Sequence, residues 1–280
     1  MSHRHQRSIQ LLWTIIVILA LSGCAGHVTR HNSSSVVSYL YPDKDKPIEA
    51  ASIPRLSLPL RVGVAFVPGS SGRDTGFTEK AKTELLGNVA NHFKQHNFVS
   101  SLEIIPSVYL SPGGSFANLE QIRSMHGIDV IVLVSYDQTQ FTDEGLASIT
   151  YWTLIGAYII PGEKNDTHTM VDAVVYDIQS RKMLFRAPGI SHIKGHSTLV
   201  NLSEELRQDS LQGFRLASDD LLVKLDDQLA LFKQRVKERP EEYQIVHSPG
   251  YIGGGNVDTG FLMFSGLLFG GLGLARSRAA

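Results

Sequence analysis

The chain has 280 residues, of which 42% are hydrophobic and 19% charged, the balance of an ordinary globular protein. Its 26 basic and 27 acidic residues leave a formal charge of -1, which argues against nucleic acid as a partner, since such partners select basic patches. With a single cysteine, Cys24, the chain has no internal disulfide framework.

In chain order the leader comes first. Arg4 and Arg7 form a positive start, and Ile9 to Leu21 is an apolar run interrupted by Gln10 and Thr14. That is the length of a signal-peptide core and falls short of the roughly 20 residues of a comfortable membrane span. The run closes in Leu21-Ser22-Gly23-Cys24. These four residues resemble the lipobox of bacterial lipoproteins. The resemblance implies that the Cys24 thiolate takes a diacylglycerol. It also implies that a signal peptidase reading Leu21, Ser22 and Gly23 cuts the bond before Cys24, and that a palmitate-bearing end remains in the membrane. Two or more acyl chains anchor stably where one does not. Ala25 and Gly26 follow, where inner-membrane lipoproteins tend to carry aspartate, so the resemblance points to the outer membrane or cell surface. The alternative is an uncleaved signal anchor.

Residues 24–59 are polar and broken by Pro42, Pro47, Pro54 and Pro59, and read as a tether, with Val36 to Leu40 a short strand or docking segment. Leu60 to Val67 is apolar on both faces, as expected of a central strand. Pro68-Gly69-Ser70-Ser71-Gly72 ends it; it lacks the Gly-Lys-Ser/Thr of a phosphate loop and is one residue short of a nucleophile elbow. Thr78 to His96 reads as an amphipathic helix capped by Thr75 or Thr78, with Ala81, Leu85, Val89 and Phe93 on one face. Leu102 to Ile105 is a strand. Asn118 to His126 is a short helix stopped by Gly127. Val130 to Val134 is a buried strand.

Ile149 to Ile160 carries Tyr151, Trp152 and Tyr158, amphipathic aromatics suited to a binding surface. Met170 to Asp177 and Met183 to Ile193 form a hairpin. His168, His192 and His196 fall here, but Gly195 argues against a helix, and no metal site is expected from them. Leu202 to about Arg239 is a long helix, with Gly213 a candidate kink and Pro240 its end. The sequence thus predicts an α/β protein: a single sandwich domain with a mixed sheet over 60–239.

After a linker over 240–256, residues 257–280 hold an apolar stretch, Phe261 to Ala275, punctuated by glycines and flanked by Arg276 and Arg278. Glycine weakens a helix by about 1 kcal/mol per position relative to alanine, which suits a protease cutting in the bilayer. Gly253-Gly254-Gly255, the apolar stretch and the basic end resemble the GlyGly-CTERM sorting signal, cut by the rhomboid-type intramembrane protease rhombosortase. Joined to a lipobox, they resemble the rhombotarget lipoprotein family in particular. A permanent C-terminal transmembrane anchor is the alternative. Loss of leader and tail leaves 22 basic and 26 acidic residues, a mildly acidic protein.

The order of elements also resembles the small periplasmic domains of penicillin-binding-protein activator lipoproteins and of TolB, which bind partner proteins. The expectation is therefore a non-enzymatic envelope lipoprotein, without cofactor, metal or catalytic residues. Its partners would be the membrane, the lipoprotein-processing enzymes, the rhomboid-type protease and an envelope protein. Alternatives are an exported hydrolase using Ser70 with His92 or His96, and a membrane-complex subunit anchored at both ends.

Overall fold

The structure is a computed structural model that describes residues 27–43, 51–69, 78–144, 163–197, 201–249 and 251. Its strands are β1 (His27–Ser33), β2 (Arg55–Leu58), β3 (Leu60–Phe66), β4 (Val99–Ile105), β5 (Val130–Glu144), β6 (Glu163–Asp177), β7 (Met183–Ser197) and β8 (Gln244–His247). The helices are α1 (Val36–Leu40), α2 (Glu79–Lys94), α3 (Ser115–His126) and α4 (Leu202–Glu238). The fold is α/β with a mixed sheet, in the order β4-β3-β5-β6-β7 with β1 also paired to β5, while β2 and β8 form a separate pair.

The chain divides into two compact units, to both of which β5, β6, β7 and α4 contribute residues. The first draws on described residues within Met1–Asn32, Asp137–Met170 and Ile190–Ala217, the second on those within Ser33–Tyr136, Val171–Gly189 and Ser218–Ala280. The tether over 24–59 is corrected, since β1, α1 and β2 lie within it. In the 240–256 linker, β8 pairs in parallel with β2 from Arg55↔Gln244 to Leu58↔His247.

The second unit is built on β3, which pairs in parallel with both β4 and β5. A strand paired on both edges must be covered on both faces, and Val62, Val64, Ala65 and Phe66 are accordingly all buried. One face receives α1 and α3. Val36, Tyr39 and Leu40 join Phe116, Leu119 and Ile122 over Ile131, Leu133 and Val174 in one cluster. Each such side chain contributes about 1.5–3 kcal/mol on burial. On the other face, Phe93 of α2 meets Phe185 of β7, which meets Phe232 of α4, at centroid distances of 6.4 and 5.4 Å.

Local chemistry sets the helix ends. The Thr78 hydroxyl accepts from the Ala81 backbone N–H, Glu79 lies in the first turn and Lys94 in the last, so charge complements the helix dipole. Gly127 stops α3 at φ +65°, a left-handed conformation that costs glycine nothing. The buried Asn118 joins the pieces: its Oδ1 accepts from Tyr39 Oη at 2.9 Å and from the Ser111 N–H at 3.0 Å, and its Nδ2 donates to the Tyr109 carbonyl at 3.1 Å.

Burial pushes the Tyr39 phenol well up, and the Tyr176 phenol up to about 12, burial first and then Tyr41 and Asp172. The folded pKa of Tyr176 lies above the ordinary value of 10.0, so this stability is full below pH 10 and is lost as pH rises towards 12. Thermal melting across that alkaline window should show a falling midpoint, and Tyr176→Phe, which cannot ionise, should fall less steeply than the parent. Equal slopes would remove Tyr176 from the explanation.

Candidate functional site

In the first unit, β5, β6 and β7 carry side chains alternately to two faces, as pleating requires. One face is polar yet buried. It bears Gln138, Gln140, Asn165, Thr167 and Thr169, all under 10% exposed, with Ser197 at 1%. Gln138 Nε2 donates to Thr169 Oγ1 at 2.8 Å and to the Ser210 carbonyl of α4 at 3.1 Å, and Ser210 Oγ donates back to Gln138 Oε1 at 2.6 Å. One turn earlier, Gln140 Nε2 donates to the Leu206 carbonyl at 2.8 Å. The helix is thus held by hydrogen bonds aimed at its own carbonyls, each costly to leave unmade once buried.

Gly213 lies inside α4, which runs from Leu202 to Glu238. Its missing side chain admits the sheet: a Cβ there would lie 2.6 Å from Thr169 Oγ1, and Ser191 Oγ donates to the Gly213 carbonyl at 2.7 Å. Gly195 likewise leaves room for Asp209, whose Oδ2 would meet a Cβ at 2.7 Å. Burial, with Glu205 adding to it, holds the Asp209 carboxyl above the usual range.

The opposite face is accessible. Asp137, Thr139, His168, Met170, Ile190 and His192 line a shallow groove, with Ile190 61% exposed. Asp166 Oδ1 is shared by two imidazoles, hydrogen-bonded to His192 Nε2 and 3.3 Å from His168 Nε2. The rings stack at 4.1 Å and 14°. His31 Nε2 lies 3.0 Å from Asp137 Oδ1. Of His168, His192 and His196, only the last two have a ligand-like spacing in sequence, and Gly195 deprives it of a helix; nothing there pairs His168 with His192. The hairpin turn, where the Asp177 N–H donates to the Lys182 carbonyl, lets the two strands bring them together.

The second unit holds another set of histidines. His92 and His96, at the end of α2, gather with Asp226 of α4. A small polar cleft lined by Arg55, Ser57, Arg123, Asp129, Asp177 and Gln179 lies in the same unit. Both of its carboxylates are hydrogen-bonded. Arg61 donates to both Asp129 oxygens at 2.8 and 2.6 Å, and Asp177 Oδ2 accepts from the Ser180 N–H at 2.9 Å. Burial raises the Asp177 carboxyl, against that hydrogen bond.

Of the residues singled out from sequence, Leu21, Ser22, Gly23, Cys24, Gly253, Gly254 and Gly255 lie outside the described residues, as do Ser70, the aromatic stretch over 149–160 and the tail over 257–280. No helix among the described residues is long and apolar enough to cross a membrane.

No family model matches the chain, and no curated protein matches it. Among solved structures, it is similar to the PelC dodecamer of Paraburkholderia phytofirmans, at 10% identity and TM-score 0.28, over 71% of this chain and 95% of that one. It is also similar to a neuraminyllactose-binding hemagglutinin homologue of Helicobacter pylori, at 8% identity and TM-score 0.36, over 70% of this chain and 96% of that one. Likeness at this level says nothing of ligand or activity.

The polar face makes its own prediction. Gln138→Leu leaves the Ser210 and Thr169 hydroxyls without their amide and should cost about 1–3 kcal/mol. Thr139→Ala, one residue on and facing outward, should stay within about 0.5 kcal/mol of the parent. Urea denaturation of the two variants checks the contrast.

Proposed function

We propose that the chain is a bacterial envelope lipoprotein, anchored through Cys24, that acts as a non-enzymatic binding or assembly module. Binding runs through the accessible strand face of the first unit. The observation that carries this reading is how the histidines are used. His31 faces Asp137, His126 Nδ1 lies 2.7 Å from Glu103 Oε1, and His168 and His192 share Asp166. An imidazole committed to a carboxylate holds its place, whereas acyl-transfer chemistry also needs a hydroxyl or thiol on the ring's other side. The two histidines offered for a hydrolase face each other and Asp226, with His96 stacked on Phe98 at 5.0 Å.

The accessible face has what recognition needs. An exposed isoleucine and a methionine lie among paired charges, on strands whose reverse side is fixed by the Gln138 and Gln140 hydrogen bonds. A rigid platform loses little entropy on binding. In this proposal the rhombotarget-like tail is cut near Gly253-Gly254-Gly255, and the protein resides at the outer membrane or cell surface.

Intact mass of the protein from native membranes is the first test. The expected species lacks residues 1–23, carries acyl chains and ends within the glycine run. A species retaining Arg276 and Arg278 would mean that the tail stays as an anchor, and one without acyl chains would remove the lipoprotein reading. For binding, a photo-crosslinking amino acid placed in cells at Ile190 should give a discrete higher-mass adduct. The same probe at Val223, exposed on α4, should not. Equal labelling at both positions would take the binding role away from the strand face.

A further inference from the structure

We propose that His92, His96 and Asp226 form a binding site for one divalent transition metal ion, with zinc the best match. His92 and His96 are four residues apart, so a helical turn puts both rings on one side of α2. Although α2 ends at Lys94, the His96 N–H donates to the Phe93 carbonyl at 3.2 Å, and this tightened last turn keeps the second ring beside the first. Phe98 fixes the plane of His96 by stacking at 17°, and His92 stands nearly edge-on to His96 at 5.9 Å and 76°. Asp226 comes from α4.

The donor atoms converge. A ring nitrogen from each histidine and a carboxylate oxygen of Asp226 all lie within 4.8 Å of one another. His92 Nε2 is 3.0 Å from Asp226 Oδ1. Ligands on a tetrahedral zinc, at about 2.0–2.1 Å from the ion, stand about 3.3 Å apart, so modest side-chain rotation closes the set.

The two Nε2 atoms supply a second observation. Each is buried and lacks a hydrogen-bond partner; His92 Nε2 meets the carboxylate by distance but outside hydrogen-bond geometry. A buried polar atom left unpaired costs about 1–3 kcal/mol, and a metal ion would satisfy both at once. Asp226 is 64% exposed, which leaves an entry path and an open fourth position for water. Imidazole and carboxylate donors without thiolate suit zinc, and also nickel or copper(II).

One cation also faces the site. Lys233 lies 4.7 Å over the Phe98 ring.

The set in the first unit differs in the respect that matters. His168 and His192 stack face to face at 14°, so their in-plane lone pairs run side by side instead of meeting at an ion. The nearly perpendicular rings of His92 and His96 allow convergence. A metal held there would join the end of α2 to α4 within the second unit.

The test is calorimetric titration of zinc into untagged full-length protein in detergent, after chelator treatment and removal. The expected result is one high-affinity zinc per chain, with Kd of about 1 μM or tighter. His96→Gln and Asp226→Asn should each weaken binding by roughly tenfold or more, while His192→Gln should leave it unchanged. Cobalt(II) in place of zinc should give a visible absorption band of tetrahedral type that both site variants lose. Circular dichroism without metal establishes folding, and if His96→Gln proves unfolded, the exposed Asp226→Asn decides alone. The proposal is overturned if the parent binds no zinc tighter than about 100 μM, if Asp226→Asn binds as the parent does, or if His192→Gln is the variant that loses the ion.

Discussion

Residues 130–134 of β5 can exist as a strand only where apolar groups cover both faces, because Val130, Ile131, Val132, Leu133 and Val134 offer water nothing on either side. That constraint calls for α1 and α3 over one face and α2 with the later half of α4 over the other. From Ser135 onward the same strand alternates polar residues with accessible ones, and its covered face is met by hydrogen bonds to α4 rather than by oil. The apolar end tolerates repacking of similar volume. The amide end does not, since each of its partners is positioned for one geometry.

What could be read from sequence follows the same division. The valine-rich strands, the Thr78 cap and the Gly127 stop were legible because each is a local signal with a local cause. The distal halves of β5, β6 and β7 were not, since Gln138, Thr167 and Thr169 look like loop residues until a helix lies across them. The segment from His27 to Leu58 read as a tether for a related reason. It is polar and rich in proline, and only pairing with β5 and β8, far off in sequence, makes strands of it. At the candidate sites, His92 and His96 showed their spacing plainly, but nothing near them pointed to Asp226, more than a hundred residues on. His168 and His192 stand 24 residues apart, and only the register of the β6–β7 hairpin sets one ring on the other.

The functional reading joins evidence of two kinds. In the proposed function, targeting belongs to short linear signals at the two ends, where Cys24 and the glycine run stand. The proposed recognition surface exists only once β5, β6 and β7 are assembled, with Asp166 between two imidazoles. In such a division of labour the ends decide where the molecule resides, and the strand face decides what it meets there.

The pairing of β2 with β8 has a mechanical side. It is parallel, four residues long, and lies directly ahead of the tail, with the Ser248 N–H donating to the Leu58 carbonyl at 2.8 Å as its last rung. Ladder bonds lie across the strands. A pull along β8 towards residue 251 therefore acts in shear, so all the rungs share the load and must yield together. A peeling force across the strands would instead open them one by one. Traction applied beyond residue 251 would thus be taken up at this short ladder before it reached the buried sheet.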